Sequence, residues 1–282
     1  MDNKKIWLVT GASKGLGRTL VLQLLQEGYK VAATSRSLSG LSDIQSPDFL
    51  PLETDLENET SVHQAIAKTI ATFGRIDILV NNAGYGQSGS IEELSDAEAR
   101  ANFNVNVFGL LNVTRQVLPF MRAQQSGHIF NISSIAGFTG TFPGFGIYCA
   151  TKFAVDGLSE SLAAEVKPFG IRVTIVSPGY FRTDFLNTGS LTLPAHPLAV
   201  YKEVRESEEL HKEQINGNQP GDPQKAAVAM IKVADAPNAP LHLFLGSDAF
   251  QLALDKIALV KTDMEQWKAV SVSTNIEEVA TA

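Results

Sequence analysis

Tyr148 and Lys152 stand in the run Tyr-Cys-Ala-Thr-Lys, and a spacing of four places both side chains on one face of any helix that carries them. A free tyrosine titrates near 10; a fixed ammonium beside it favours the phenolate, and reaching neutrality takes roughly 4 kcal/mol of differential stabilisation. A tyrosine tuned in this way exchanges a proton with substrate, the work of a general acid/base. A tyrosine and a lysine four apart are common on exposed helices, so the pair gains meaning from its surroundings. Upstream, Asn131-Ile132-Ser133-Ser134 closes an apolar run. A strand ending there puts a hydroxyl at the carboxyl edge of a sheet, where open α/β folds bind ligands. Ser134, 14 residues before Tyr148, is the expected partner of a substrate oxygen, with Ser133 as the competing assignment. Asn106, in Asn106-Val107-Phe108-Gly109, interrupts a helical stretch in which asparagine is a poor choice, so it is expected to be a buried polar link toward Lys152.

A second group of residues is suited to hold a dinucleotide. The apolar run at residues 6–9 leads directly into Thr10-Gly11-Ala12-Ser13-Lys14-Gly15-Leu16-Gly17 and then a helical pattern. Glycines in such a turn let the backbone approach a pyrophosphate, and the helix start offers unpaired N–H groups and a favourable dipole. The spacing is Gly-x3-Gly-x-Gly rather than Gly-x-Gly-x2-Gly, and no Gly-Lys-Ser/Thr ending marks a triphosphate loop. About 20 residues beyond the glycines, an NAD enzyme of this architecture carries an acid for the ribose 2′-hydroxyl. Here the second apolar run ends at Thr34-Ser35-Arg36. Arg36, with Lys14, can pair with a 2′-phosphate, so the expected cofactor is NADP(H) rather than NAD(H). The competing reading makes both ordinary solvated cations.

The elements that must position these residues alternate. Residues 6–9, 30–34, 49–52, 76–80, 128–132 and 173–176 read as strands, and residues 16–28, 61–73, 95–122 and 148–169 carry apolar side chains at helical intervals. Gly28, Gly74 and Gly170 stand where helices should stop. Strands such as Ile78-Leu79-Val80 are apolar on both faces, as a sheet covered on both sides requires. The fold class is therefore α/β: a doubly wound parallel sheet, a Rossmann fold, in a single domain with a small substrate lid. Residues 5–185 form the cofactor-binding and catalytic core. Residues 186–221, rich in Pro, Asn, His and charge and without a strand signal, form a variable lid. Residues 222–282 supply a helix begun by Asp222-Pro223, a strand at 241–245, a helix at 249–261 and a frayed end.

Composition narrows the function classes. The 282 residues are 44% hydrophobic and 19% charged, which describes a globular chain able to bury a core. A net charge of −7 disfavours a nucleic-acid surface. The lone Cys149 excludes an intrachain disulfide and suits a reducing cytoplasm. The opening Met-Asp-Asn-Lys-Lys and the short run at 6–9 do not make a signal peptide, and nothing approaches the roughly 18 apolar residues of a membrane span. His63, His128, His196, His211 and His242 are scattered, without metal-ligand spacing, and read as surface or packing residues. There is no Gly-x-Ser-x-Gly hydrolase elbow.

Taken together, Thr-Gly-Ala-Ser-Lys-Gly-Leu-Gly, Asn81-Asn82-Ala83-Gly84, Asn106, Ser134 and Tyr148-x3-Lys152 resemble the ordered motifs of the short-chain dehydrogenase/reductases over roughly residues 5 to 185. The resemblance implies an NADP(H)-dependent oxidoreductase that interconverts a carbonyl and an alcohol. It implies Tyr148 as general acid/base, Lys152 lowering its pKa and binding ribose, Ser134 orienting the carbonyl and Asn106 holding a relay water. Against the family's spacing, the loop at 140–146 carries one extra residue. The implied cofactor contacts are Gly11, Ser13, Lys14, Gly15, Leu16, Gly17, Arg36, Asp55 and Leu56 beside the adenosine and pyrophosphate. Asn82, Ala83 and Gly84 lie beyond them, and Pro178, Gly179, Phe181 and Thr183 flank the nicotinamide. Asn-Val-Phe-Gly and Tyr-Cys-Ala-Thr-Lys-Phe-Ala are similar to the branch containing 17β-hydroxysteroid and retinol dehydrogenases. A homodimer or homotetramer through the helical segments at 104–122 and 148–169 is also implied.

Phe142, Phe145 and Tyr180 are the expected substrate contacts beside Ser134 and Tyr148, and Phe138, Phe181 and Phe185 flank the same motifs. Aromatics there also suit packing beneath a lid. A reading from another class is a regulator that binds NADPH without turnover, since a fold alone does not establish catalysis. An epimerase or dehydratase shares the Tyr-x3-Lys pair but needs a larger substrate domain than this chain has room for.

Overall fold

The computed structural model describes residues 4–187 and 189–276. The final residues of the expected frayed end, 277–282, the first three residues and position 188 of the lid lie outside the described residues. Strand β1 (Ile6–Val9) is followed by β2 (Lys30–Ser35), β3 (Phe49–Glu53), β4 (Ile78–Asn81), β5 (Gly86–Gln87), β6 (Gly127–Ile132), β7 (Ile171–Pro178), β8 (Leu191–Thr192) and β9 (His242–Leu245). Seven of them form one sheet in the order β3-β2-β1-β4-β6-β7-β9, every pairing parallel. Pro51 is tolerated in β3 because that strand lies at the edge, with β2 as its one neighbour.

Period-two alternation sends side chains to two cores. Trp7, Val9, Val31, Ala33, Ile78, Val80 and Phe130 meet helices α1 (Gly15–Gln26) and α7 (Pro223–Asp235) on one face. Leu8, Ala32, Leu79 and Ile129 meet α2 (Glu59–Phe73), α4 (Leu110–Gln124) and α5 (Gly146–Val166) on the other. The sheet is doubly wound. Chain order reverses between β1 and β4, so a crevice opens beyond their carboxyl ends, between the glycine-rich turn and the loop 82–84.

Several boundaries differ from the sequence reading, each for a tertiary reason. Strand β4 begins at Ile78 rather than 76, because Asp77 is held outside the strand, accepting hydrogen bonds from Ile6 N (2.8 Å) and Arg75 Nε (2.7 Å). Strand β7 extends over Ile171–Pro178, since pairing with both β6 and β9 recruits residues that periodicity alone left out. The helix expected over 95–122 is a composite. A capping box at Ser95 and Glu98 starts α3 (Asp96–Phe103), π-helical turns at Asn104–Gly109 interrupt it, and α4 follows.

The lid corrects the expectation of an irregular segment. It contains β8, which pairs in parallel with β5, and a helix α6 (Lys202–Glu209) that continues into π-helical turns at Leu210–Ile215. Two-residue strands carry no sequence pattern, which is why β5 and β8 were invisible. The C-terminal helix α8 spans Ser247–Gln266, longer than expected, and α9 (Lys268–Val272) follows where fraying was predicted. No helix among the described residues is long and apolar enough to cross a membrane.

Phe130 is fully buried at the centre of the sheet, stacked on Trp7 (6.3 Å between ring centroids). Phe130→Ala is expected to lower unfolding free energy by about 3–5 kcal/mol, and Phe130→Leu by much less, as read by urea denaturation.

Candidate active site

The crevice is a cleft of about 650 Å³ that runs from the glycine-rich turn to the lid. At one end, Gly11 adopts φ +67°, a conformation disfavoured for residues with a side chain, and a Cβ there would lie 2.6 Å from Ala83 Cα. The turn is tied across to the loop after β4. Asn82 Nδ2 donates to Thr10 O (2.9 Å) and Gly11 O (3.0 Å), while Asn82 N and Ala83 N donate to Thr10 Oγ1 (3.0 and 3.1 Å). A Cβ on Gly17 would overlap the Asn82 amide. These contacts leave open backbone facing the cleft at the start of α1.

Of the expected cofactor residues, Gly11, Ser13, Lys14, Gly15, Leu16, Arg36, Asp55, Leu56, Asn82, Ala83, Gly84, Tyr148, Lys152, Pro178, Gly179, Phe181 and Thr183 all border this cleft. Gly17 does not; it acts one layer behind, through close packing on Asn82. Lys14 and Arg36 line the glycine-turn end of the cleft. Neither makes an ion pair or side-chain hydrogen bond with another described residue. Asp55 Oδ1 accepts from Glu57 N (3.0 Å), fixing the loop after β3.

At the other end, α5 brings Tyr148 and Lys152 to one face, both buried. Lys152 Nζ donates to Ile132 O (2.9 Å) and sits 5.8 Å from the Tyr148 ring centroid. Burial pulls the Lys152 ammonium down to about 8, against the opposing charge of Asp156 one turn on. Burial also pushes the Tyr148 phenol well above its ordinary range, and the Ser134 hydroxyl beside it pulls only partly back. The expected lowering of Tyr148 by Lys152 is therefore not met by the protein alone. The ammonium is turned to the end of β6, and loss of solvent around the phenol outweighs it.

The two serines part company. Ser134 Oγ faces the phenol and accepts from Ala136 N (3.1 Å). Ser133 is buried, donates to Lys152 O (3.3 Å) and lies against Asp156, whose carboxyl burial raises to about 6. Both serines border the cleft, with Ser134 beside the Tyr148 phenol and Ser133 against Asp156.

Asn106 is buried in the π-helical turns. Its Oδ1 accepts from Tyr85 N (3.0 Å), and its Nδ2 donates to Tyr85 O (3.0 Å) and Thr151 Oγ1 (3.1 Å). Thr151 itself donates to Tyr148 O (2.7 Å), so Asn106 is tied to the catalytic helix through Thr151. Asn106 and Lys152 nevertheless flank the same small space, since a Cβ on Gly84 would lie 3.0 Å from Asn106 Oδ1 and 3.6 Å from Lys152 Nζ. The π-helical turns are a common device for aiming a side chain into a site.

Phe142, Phe145 and Tyr180 line the cleft as expected, with Phe181 and Phe185. Phe138 does not; it packs edge-on against Phe244 (5.1 Å) beneath α8. The sequence reading missed Tyr85, Asp156, His211, Gln219 and Asp248. Asp248 Oδ2 accepts from Tyr180 N (2.7 Å) and lies so close to Gly179 that any side chain there would overlap it. His211, read as a surface or packing residue, is buried and packs on Phe145 and Tyr180, and it also borders the cleft. Its Nδ1 approaches Ser207 O (2.6 Å) and its Nε2 approaches Tyr180 Oη (2.9 Å). Because a carbonyl accepts only, Nδ1 carries the proton, and in neutral His211 the Tyr180 hydroxyl donates to Nε2.

The lid is anchored by buried charge. Arg205 of α6 pairs with Glu93 (3.0 Å) and Glu208 (3.3 Å), Glu93 accepts from Leu198 N (2.6 Å), and Ser88 donates to Glu208 (2.8 Å). These acids are adjacent only in space, and sequence spacing gave no signal of them.

A doubly wound parallel sheet with a glycine turn at its switch point and a Tyr-Lys pair opposite defines a nicotinamide-dinucleotide oxidoreductase type of site. Residues 5–192 match the family model described as short chain dehydrogenase, and the chain belongs to that family of oxidoreductases. It is 38% identical over 245 residues to the 3-ketodihydrosphingosine reductase of Bacteroides thetaiotaomicron, covering 86% of this chain and 88% of that protein. The crystal structure of a short-chain dehydrogenase from Streptomyces avermitilis is similar with a TM-score of 0.89 and 37% identity, covering 98% of this chain and all of that one. ElxO with NADP bound is similar with a TM-score of 0.71 and 28% identity, covering 88% of this chain and 99% of that one. At like distance, a Brucella melitensis 3-ketoacyl-(acyl-carrier-protein) reductase was solved with NADH. The family and the cradle together support a nicotinamide cofactor.

Gly11→Ala is expected to weaken nicotinamide-cofactor binding at least about tenfold while leaving the circular dichroism spectrum unchanged, because the strain is local to the turn. Fluorescence titration with reduced cofactor reads the loss.

Proposed function

We propose that this protein is an NADPH-dependent reductase of an apolar aldehyde or ketone, with Tyr148 as the proton donor. The observation that carries the reading is the buried Tyr148 hydroxyl beside Ser134, one helical turn from Lys152, at the end of a cleft whose other end is the glycine turn. When bound, the reduced nicotinamide supplies a hydride to the carbonyl carbon. Ser134 donates a hydrogen bond to the carbonyl oxygen and holds it against Tyr148. As the oxygen gains negative charge, Tyr148 gives it a proton, and the alcohol forms. Burial, which keeps the phenol protonated, suits the reductive direction. The Lys152 ammonium, at one end of the same polar set, stabilises the phenolate left behind. Asn106 holds the Tyr85 loop and α5 in register through Thr151 and leaves room beside Lys152 for a proton relay.

The preference for NADPH rests on Arg36 and Lys14, two cations free of protein partners among the described residues at the end where an acid would serve NAD. The substrate end is aromatic: Phe142, Phe145, Phe185 and Tyr180 surround it, with the Tyr180–His211 pair as one polar point. In neutral His211 the Tyr180 oxygen keeps its lone pairs, so this point favours a donor group on the substrate. A homodimer or homotetramer through α4 and α5 fits the exposure of Phe108, Phe120, Phe153 and Leu158 near those helices. A cytoplasmic setting suits the single buried cysteine.

Assays of NADPH oxidation over a panel of carbonyls test this reading. Tyr148→Phe should cut turnover by about 10²–10⁴-fold with NADPH binding kept within a few-fold. Ser134→Ala should cost more in kcat than Ser133→Ala, and equal small losses discredit the serine role. A wild-type protein that binds NADPH but turns over nothing on the panel favours the regulator reading instead. Arg36→Ala should lower NADPH affinity at least about tenfold and leave NADH affinity unchanged; an NADPH preference that survives the change sinks the assignment.

Lys152 gives a pH dependence with a definite sign. Its ammonium is held with a pKa of about 8 in the folded protein, below its ordinary 10.5, so it is charged at pH 7 and neutral at pH 9. NADPH affinity and kcat/KM for the cofactor should fall as pH rises through about 8, and Lys152→Met should bind NADPH weakly and without that inflection. The same depression means that the ammonium opposes folding at pH 7, an effect relieved between about pH 8 and 10.5.

A further inference from the structure

Helix α8 touches the body only through its first turns, where Ala249 and Ala253 are buried near Ile135 and Phe244. Beyond that point it stands clear, and its apolar side chains stay in solvent: Phe250 is 58% exposed, Met264 68% and Trp267 of the following turn 61%, with Leu254, Ile257 and Val260 similarly open. Their spacing of 4, 3, 3, 4 and 3 residues keeps them on one helical stripe, ~25 Å long. A continuous apolar stripe of that length on a free surface is uncommon and marks a contact.

The order of residues along the stripe indicates what covers it. It is nearly palindromic about the interval between Ile257 and Val260: Phe250 mirrors Trp267, and Leu254 mirrors Met264. Such a stripe is self-complementary when a second helix of the same sequence lies antiparallel across a two-fold axis. The charges agree. Lys256 and Asp263 flank the same side of the stripe on opposite sides of its midpoint, staggered in an antiparallel pair by two residues, ~3 Å, which long side chains span, and neither has an ion-pair partner among the described residues. Antiparallel pairing brings Lys256 of each copy to Asp263 of the other, twice per interface. A lipid surface fits less well. The helix carries Asp248, Asp255, Asp263 and Glu265 against Lys256 and Lys261, and the whole chain has a net charge of −7, the wrong sign for anionic headgroups.

We propose that α8 pairs with α8 of a second copy of this chain, antiparallel, across a two-fold axis near residues 258–259. This contact is separate from α4 and α5 and does not depend on the reaction catalysed. If both form, the molecule is a tetramer, with α8 joining two pairs.

Engineered cysteines test the geometry directly, since the native Cys149 is buried and silent. Val260→Cys, close to the proposed axis, should give a covalent dimer under mild oxidation, whereas Phe250→Cys should not, because its symmetry mate lies ~25 Å away. Light scattering should show Ile257→Asp and Lys256→Asp each lowering the assembly by one step, with dissociation at least tenfold easier. The charge-swapped double variant Lys256→Asp/Asp263→Lys should restore it. NADPH binding, untouched by these exposed residues, serves as the control for folding. The proposal is overturned if Val260→Cys fails to cross-link, if Phe250→Cys cross-links as a parallel pair would, or if assembly ignores these substitutions. Sedimentation with vesicles in place of self-association also overturns it.

Discussion

The close approach of the backbone after β1 to the backbone after β4 is the constraint on which the rest of the site depends. At the switch point the two strands diverge, and the gap between their ends opens the cleft to the strand termini. Gly11 must pass within contact of Ala83 for the turn to close, and Asn82 with Thr10 locks the two loops at that distance. The start of α1, the loop 82–84 and the end of β6 then face one cleft. A bulkier residue at the crossing would push the turn away from the loop 82–84.

A second constraint is electrostatic. Lys152 is buried, which would cost several kcal/mol for an unpaired ammonium. It is tolerated because Ile132 O accepts its proton and Asp156 lies behind it. The site thus stores an ammonium beside a buried phenol, neither comfortable in its charged form. Ser133, Asp156 and Thr151 pack around this arrangement, while Ser134 lies beside the Tyr148 phenol.

The lid follows different physics. It is held to the body by Arg205 on Glu93, by Ser88 on Glu208 and by two-residue strands, contacts between segments far apart in sequence. A segment tied in this way can order over a ligand without depending on a core of its own, and it delivers His211 and Gln219 to the substrate end.

Much of the fold was legible in the sequence because it is local. Apolar runs on both faces announced a covered parallel sheet, glycine and proline marked the ends of helices, and the Gly11–Gly17 turn and the Tyr148–Lys152 spacing carry their geometry in their own backbone. Most of the cofactor and catalytic residues named from sequence therefore border the same cleft; Gly17 and Asn106 lie one layer behind. What only the tertiary structure decided are pairings between distant segments. They include the placing of Ser134 beside the Tyr148 phenol and of Ser133 against Asp156, the bond from Asn106 to Thr151, the clamp of Asp248 on Gly179, and the burial that pushes the Tyr148 phenol up. Each depends on which side chain loses its water and which stranger it meets, and a linear pattern holds no record of either until the sheet is assembled.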